Sequence, residues 1–228
     1  MELTQTLLTA AFLPGLVAGV LLLPWQPWSA REAKPWVHAA AAVGVLAGFI
    51  LSMVVLEGFP EFPPVDAGRW VPFIGIAALT AIALPSFAQL DWSGRLLARL
   101  AITGLSLATI WQPLVGNTWE LDVAALHFVG ATVAILIAWE MLGYFAKHRS
   151  GASFPLTMMV LIAGISVITV LDEALKYGVL LAALAATQGA AVVIGFWGKR
   201  YRASGPELFV LLTLVFAMLA STHAWSYF

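Results

Sequence analysis

The sequence predicts an all-α integral membrane protein, a bundle of eight transmembrane helices with both termini extracytoplasmic. Three observations lead there. Of 228 residues 61% are hydrophobic and 10% charged, and the mean hydropathy is +0.94, more apolar surface than one soluble core can hide. The apolar residues fall into runs of about 20, the length a helix needs to cross roughly 30 Å of hydrocarbon. The basic residues gather in alternate loops, as the positive-inside rule requires of short cytoplasmic connections.

The first run, Thr4 to Trp25, follows an acid, Glu2, and has no Lys or Arg before Arg31. A cleaved signal peptide has the opposite polarity, so a retained first span is expected. The next runs are Trp36 to Leu56, Trp70 to Leu90, Leu96 to Val115, Asp122 to Ala146, Phe154 to Leu171, Tyr177 to Gly198 and Glu207 to Trp225. The stretch from Phe154 to Gly198 reads as two spans. A single helix there would run about 65 Å with Asp172, Glu173 and Lys176 at its middle, and charges at that depth are costly. A tight DEALKYG turn avoids the cost.

Nine of the eleven Lys and Arg residues, Arg31, Lys34, Arg95, Arg99, Lys147, Arg149, Lys199, Arg200 and Arg202, lie after spans one, three, five and seven. Arg69 and Lys176 alone lie on the other face, with Glu57, Glu61, Asp66, Glu120, Asp122, Asp172 and Glu173. The expected setting is a bacterial cytoplasmic membrane with the basic loops inside. Trp25, Trp28, Trp36, Trp70, Trp92, Trp119, Tyr144, Tyr177, Trp197, Tyr201 and Trp225 flank the spans as headgroup-level anchors would.

Helices in lipid associate through small residues. Gly15 with Gly19, Gly44 with Gly48, and Ala182, Ala186 and Ala190 repeat at four and predict close helix contacts within the chain. A weak repeat at an offset near 115 residues pairs LLLPWQ (Leu21 to Gln26) with ILIAWE (Ile135 to Glu140), and Ala47-Gly48 with Ala163-Gly164. It also pairs Val55-Leu56-Glu57 with Val170-Leu171-Asp172. Either the single domain 1–228 comprises two tandem four-helix halves, 1–118 and 119–228, or a bias toward Ala, Leu and Val produces the matches.

Five residues are candidates for chemistry. Glu140 is a carboxylate within a span, a functional position by default, yet it lies about 10 Å of helix rise from Lys147 and can serve by pairing with a basic loop residue. His127 has Gly130, Ala131, Ala134 and Ala138 at helical spacing, a small face expected to pack on another helix. It stands about 220° around the helix from Glu140, so one relay through both is not expected. His223 lies at a depth like that of His127, and two imidazoles so placed can hold one b-type haem or a metal, although hydrogen-bonded structural histidines are the commoner case; a two-haem cytochrome would show four such residues, and His38 and His148 fall at the cytoplasmic boundary instead. Gln188, near the middle of span seven, and Gln112, beside Pro113, are polar residues that can line a path, although a helix-to-helix hydrogen bond is the commoner role for a glutamine such as Gln188. Pro14 and Pro85 also interrupt spans, and the loop EGFPEFPPVDAGR is a stiff connector.

There is no cysteine, and no phosphate loop, HExxH, GxSxG, Asp-rich diphosphate motif or late-span Lys for retinal. No cofactor is expected, and nothing points to catalysis or nucleic acid. The reading is a small-solute or ion transporter or permease, with Glu140, Gln188 and Gln112 on a substrate or proton path. The alternatives are a non-catalytic subunit bound to other membrane subunits, and a haem-bearing redox subunit using His127 and His223.

Overall fold

The computed structural model describes residues 2–23, 35–64, 66–83, 91–172, 174–197 and 205–226. Among them lie eight α-helices and no strand: α1 (Glu2–Leu22), α2 (Pro35–Glu57), α3 (Val71–Ala83), α4 (Trp92–Trp111), α5 (Leu121–His148), α6 (Ser153–Leu171), α7 (Leu175–Trp197) and α8 (Gly205–Trp225). A 3-10 turn, Gly68–Trp70, leads into α3. Five of the helices, α2 and α5 to α8, are long and apolar enough to cross a membrane. The apolar stretches Thr9–Leu22 and Gly68–Ala83 are shorter, and α4 carries Arg95 and Arg99 in its first half. The expected continuation of span three through Pro85 lies outside the described residues, as do the loops holding Arg31, Lys34, Lys199, Arg200 and Arg202.

The long apolar run divides where its charges predict. α6 ends at Leu171 and α7 begins at Leu175. The Asp172 N–H donates to Ile168 O, and Ala174 N–H to Thr169 O. Ser166 then donates across the hairpin to Gly178 O at 2.7 Å, and a Cβ on Gly178 would lie 2.3 Å from Val170.

α8 is the most buried of the five long helices and α7 the next. Around them, α1 packs on α2 and α7, α2 on α7 and α8, and α3 and α4 on α8. The small residues make these approaches possible. A Cβ on Gly15 would stand 2.9 Å from Ala186 O, one on Gly19 3.7 Å from the Ala190 Cβ, and one on Gly48 3.0 Å from Pro14 O. The Gly pairs of α1 and α2 and the Ala repeat of α7 are thus internal seams, as the four-residue spacing predicts.

α5 and α6 are the periphery. α5 packs on α4 and α8, α6 packs on α7, and the two share no extended seam although four residues join them. The connection is anchored, since a Cβ on Gly195 of α7 would lie 2.8 Å from the Ala152 backbone. A cleft floored by α8 therefore separates α5 from α6. Their outer faces, with Leu126, Val129, Val133, Ile137, Val160, Val167 and Ile168, are exposed. So large an apolar face suits lipid and not water.

Two expectations fail here, the first in part. The small face of α5 is only partly covered by the described residues: Ala131 lies half-buried against the core, but a Cβ on Gly130 meets nothing within 4 Å, and Ala134 is exposed. The buried face is instead Ala124, Ile135, Trp139 and Ala146, with Ile135 and Trp139 supplying the bulk toward α4 and α8. Nor do Trp119 and Tyr177 stand at a headgroup surface, since each is only 4% exposed. Gly116, at φ 81°, turns the chain after α4 so that Trp119 folds back onto the bundle. Tyr177 closes over Gly68, where a Cβ would lie 2.7 Å from its ring.

Candidate functional site

The end of the bundle where α2, α4, α6 and α8 finish is acidic, with Glu57, Glu61, Asp66, Glu120, Asp122 and Asp172, and the opposite end holds Arg95, Arg99, Lys147 and Arg149. At the acidic end His127 and His223 come together. His127, in the second turn of α5, and His223, in the last turn of α8, have ring centroids 5.6 Å apart at 26°. Trp119 stacks on His127 at 4.4 Å and 16°. Trp111 stands edge-on to His223 at 5.9 Å and to Phe128 at 5.3 Å; its indole donates to Ala220 O at 3.0 Å. His127 Nδ1 lies 2.8 Å from Val123 O, and since a carbonyl only accepts, that nitrogen donates.

This arrangement bears on iron. An imidazole binds metal through a lone pair in the ring plane, and two axial ligands of one haem approach edge-on from opposite sides. Here the rings face each other, with an indole on the far side of His127, a stacked geometry with no porphyrin slot between them. No group of three or more His, Asp or Glu residues suited to a metal ion occurs among the described residues.

Beside His223, α6 and α8 diverge around a cavity of about 380 Å³ lined by Ile165, Ile168, Thr169, Asp172, Leu219, Thr222, His223 and Ser226. Its volume lies within the range of small-molecule sites, about 300 to 1,000 Å³. Sequence reading missed this cavity. Thr169 and Asp172 on α6 face Thr222 on α8 only because α6 and α8 splay, and no spacing within either helix encodes that.

A second group at the acidic end ties three segments. Lys176 Nζ lies 2.6 Å from Glu57 Oε1 and 3.8 Å from Asp66 Oδ1, and Arg69 Nε lies 3.6 Å from Glu57 and 3.2 Å from Asp66. The two bases on the acidic face are both engaged by two of its acids, an explanation of their exceptional position.

The three residues expected on a path stand apart. Glu140 pairs with Arg99, whose guanidinium lies over Trp139 at 5.7 Å; its side chain is 57% exposed. Gln112, the C-cap of α4, is exposed at the acidic end. Gln188 is fully buried in α7, and neither amide atom has a hydrogen-bond partner among the described residues. A turn above Arg99, a cavity of about 10 Å³ lies among Thr103, Ser106, Trp139 and Thr213, room for one water. Thr103 Oγ1 and Trp139 Nε1 there also lack protein partners.

No known family description and no solved structure matches the chain. Over 110 residues it is 32% identical to a Streptomyces lividans protein named chloramphenicol resistance protein. The match takes in 47% of this chain and 26% of that relative, so the chain spans about a quarter of the relative's length.

Proposed function

We propose that this chain is a small-solute permease of the bacterial cytoplasmic membrane, crossing it eight times with both termini on the side opposite the basic loops. The chain's long apolar helices and its partial likeness to a resistance protein fit a membrane transporter. The observation that carries the proposal is the cavity between α6 and α8, of solute size and lined by Thr169, Asp172, Thr222, His223 and Ser226 together with Ile165, Ile168 and Leu219. Gln188 adds to it. A buried polar group is nearly always hydrogen-bonded, and one left unpartnered within a membrane helix is a functional position by default.

Flux tests the reading. Pump-deficient bacteria expressing the full chain should accumulate less, or more, of at least one solute in a panel that includes chloramphenicol and simple amines. Gln188→Leu should remove that difference while leaving the amount of protein in the membrane unchanged. Loss of both amide atoms costs no hydrogen bond seen in the structure, so its fold should stand. Unchanged accumulation across the panel, with the protein verified in the membrane, overturns the proposal.

One observation favours a second reading, a subunit of a larger membrane complex. The Gly130 and Ala134 face of α5 is of the kind that admits a close helix neighbour, and none of the described residues covers it. Purification in mild detergent as a lone monodisperse protein counts against that reading. The haem-bearing alternative needs both imidazoles to turn edge-on, and absence of a Soret band from the purified protein ends it.

A further inference from the structure

We propose that the cavity between α6 and α8 recognises an amphipathic ammonium ion, its charged head at Asp172 and its apolar body along Ile165, Ile168 and Leu219. This rests on the permease reading only for the movement of the ligand, not for its binding.

Three of the polar groups lining the cavity, Asp172, Thr222 and Ser226, present acceptors; Thr169 and His223 line it too. The Thr222 hydroxyl donates to Met218 O at 3.0 Å and the Ser226 hydroxyl to His223 O at 2.7 Å. Both hydrogens are spent on backbone carbonyls, so each oxygen presents lone pairs alone. Asp172, ionised, only accepts. A ligand satisfying these three groups must bring N–H or O–H donors, and an ammonium head brings up to three N–H donors on one centre.

Charge points the same way. Asp172 caps the C-terminus of α6, and Ser226 follows the C-terminus of α8. Helix C-termini carry partial negative charge, so a carboxylate there is unfavourably placed and a cation is favoured. The nearest lysine in sequence, Lys176, is held by Glu57 and Asp66, and no described base forms an ion pair with Asp172. The rest of the lining, Ile165, Ile168 and Leu219, is aliphatic, and Ile168 is 67% exposed. A free carboxylate beside an aliphatic lining fits a molecule with a protonated amine and a hydrocarbon body.

The test uses the full chain in phosphatidylglycerol nanodiscs at about pH 8, where unperturbed imidazoles are neutral, with octylammonium, octanol and octanoate as probes. Trp111 and Trp119, 5.9 and 5.8 Å from the His223 ring, should report occupancy by fluorescence. Octylammonium should bind saturably, about tenfold or more tighter than octanol, the scale of one close ion pair, and octanoate should not bind. Asp172→Asn should erase the preference for the amine and keep the weak octanol signal. Asp122→Asn, removing an exposed acid at the same end, should change nothing. Adding phosphatidylethanolamine separates two sources of the same head: displacement of octylammonium assigns the site to the lipid amine, and no displacement assigns it to a free solute. Equal binding of octylammonium and octanol, or an Asp172→Asn protein of unchanged helix content that still prefers the amine, overturns the proposal. Saturable amine binding without flux sinks the permease reading and leaves this one standing, and flux of other solutes without amine binding does the reverse.

Discussion

At Gly48 a single hydrogen atom is what lets two helices meet. A Cβ there would stand 2.9 Å from Thr187 Cγ2 and 3.0 Å from Pro14 O, the latter a backbone atom that cannot turn aside. At Gly130 the same methyl meets open space. Thermal unfolding in detergent should therefore separate two identical substitutions: Gly48→Ala should cost about 1 to 3 kcal/mol, the usual penalty of overpacking, and Gly130→Ala should be neutral or slightly stabilising because alanine is the better helix former. Equal shifts would contradict the close approach of α1, α2 and α7. The contrast also marks a limit of the sequence. That a glycine permits contact is written in its size, whereas whether a helix arrives there depends on where the rest of the chain goes. The Gly15, Gly19 and Gly48 seams were therefore legible, and the fate of Gly130 was not.

Between elements, charge does the joining that greasy surfaces in lipid cannot. Glu57 at the end of α2, Asp66 and Arg69 before α3, and Lys176 at the start of α7 form one group, with the Glu57 side chain only 16% exposed. A thermal-unfolding double-mutant cycle on Glu57→Gln and Lys176→Met should give a coupling of about 1 kcal/mol or more, above the median for exposed pairs. Simple additivity would mean that α2 and α7 are not linked through this pair. The Glu140 and Arg99 pair is more open and should contribute less. α4 is set by a local device: Asp91 accepts the Gly94 N–H at 2.7 Å and the Ser93 hydroxyl at 2.8 Å, bonds that hold its carboxyl below the ordinary carboxylate value. That contribution is present above the ordinary value and fades as pH falls through the lowered one. The division of α6 from α7 was legible because DEALKYG places three charges where a continuous helix would bury them. The His127 and His223 meeting was anticipated from depth alone, but the Trp111 and Trp119 around it were not, because a tryptophan near a span end looks the same whether it faces lipid or folds inward.

For the whole molecule, the repeat and the charge pattern make different demands. Two tandem halves would match α1 with α5 and α2 with α6, yet α1 and α2 pack closely while α5 and α6 diverge. Any duplication would have to predate that divergence in packing. The charge pattern requires only an even number of crossings. A reporter fused after Phe228 should be extracytoplasmic, and one inserted after Arg149 cytoplasmic; both on one side would defeat the eight-span topology. Among the described residues five helices are long and apolar enough to cross a membrane. The all-helical class and the order of the long apolar helices were legible because run length and charge are local properties. The cavity was not, since it exists only where α6 and α8 fail to touch.

The contact between Ala152 and Gly195 fixes the chain at the basic end of α5, so any tilt of that helix would be greatest at its other end. Its 28 residues span about 42 Å at 1.5 Å per residue, with the fulcrum at the basic end. A swing of only about 5° there would carry the far tip nearly 4 Å on that length. Such a displacement is comparable to the 5.6 Å between the two imidazole rings, so their stack would register, at one end of the protein, an angular change too small to disturb the other.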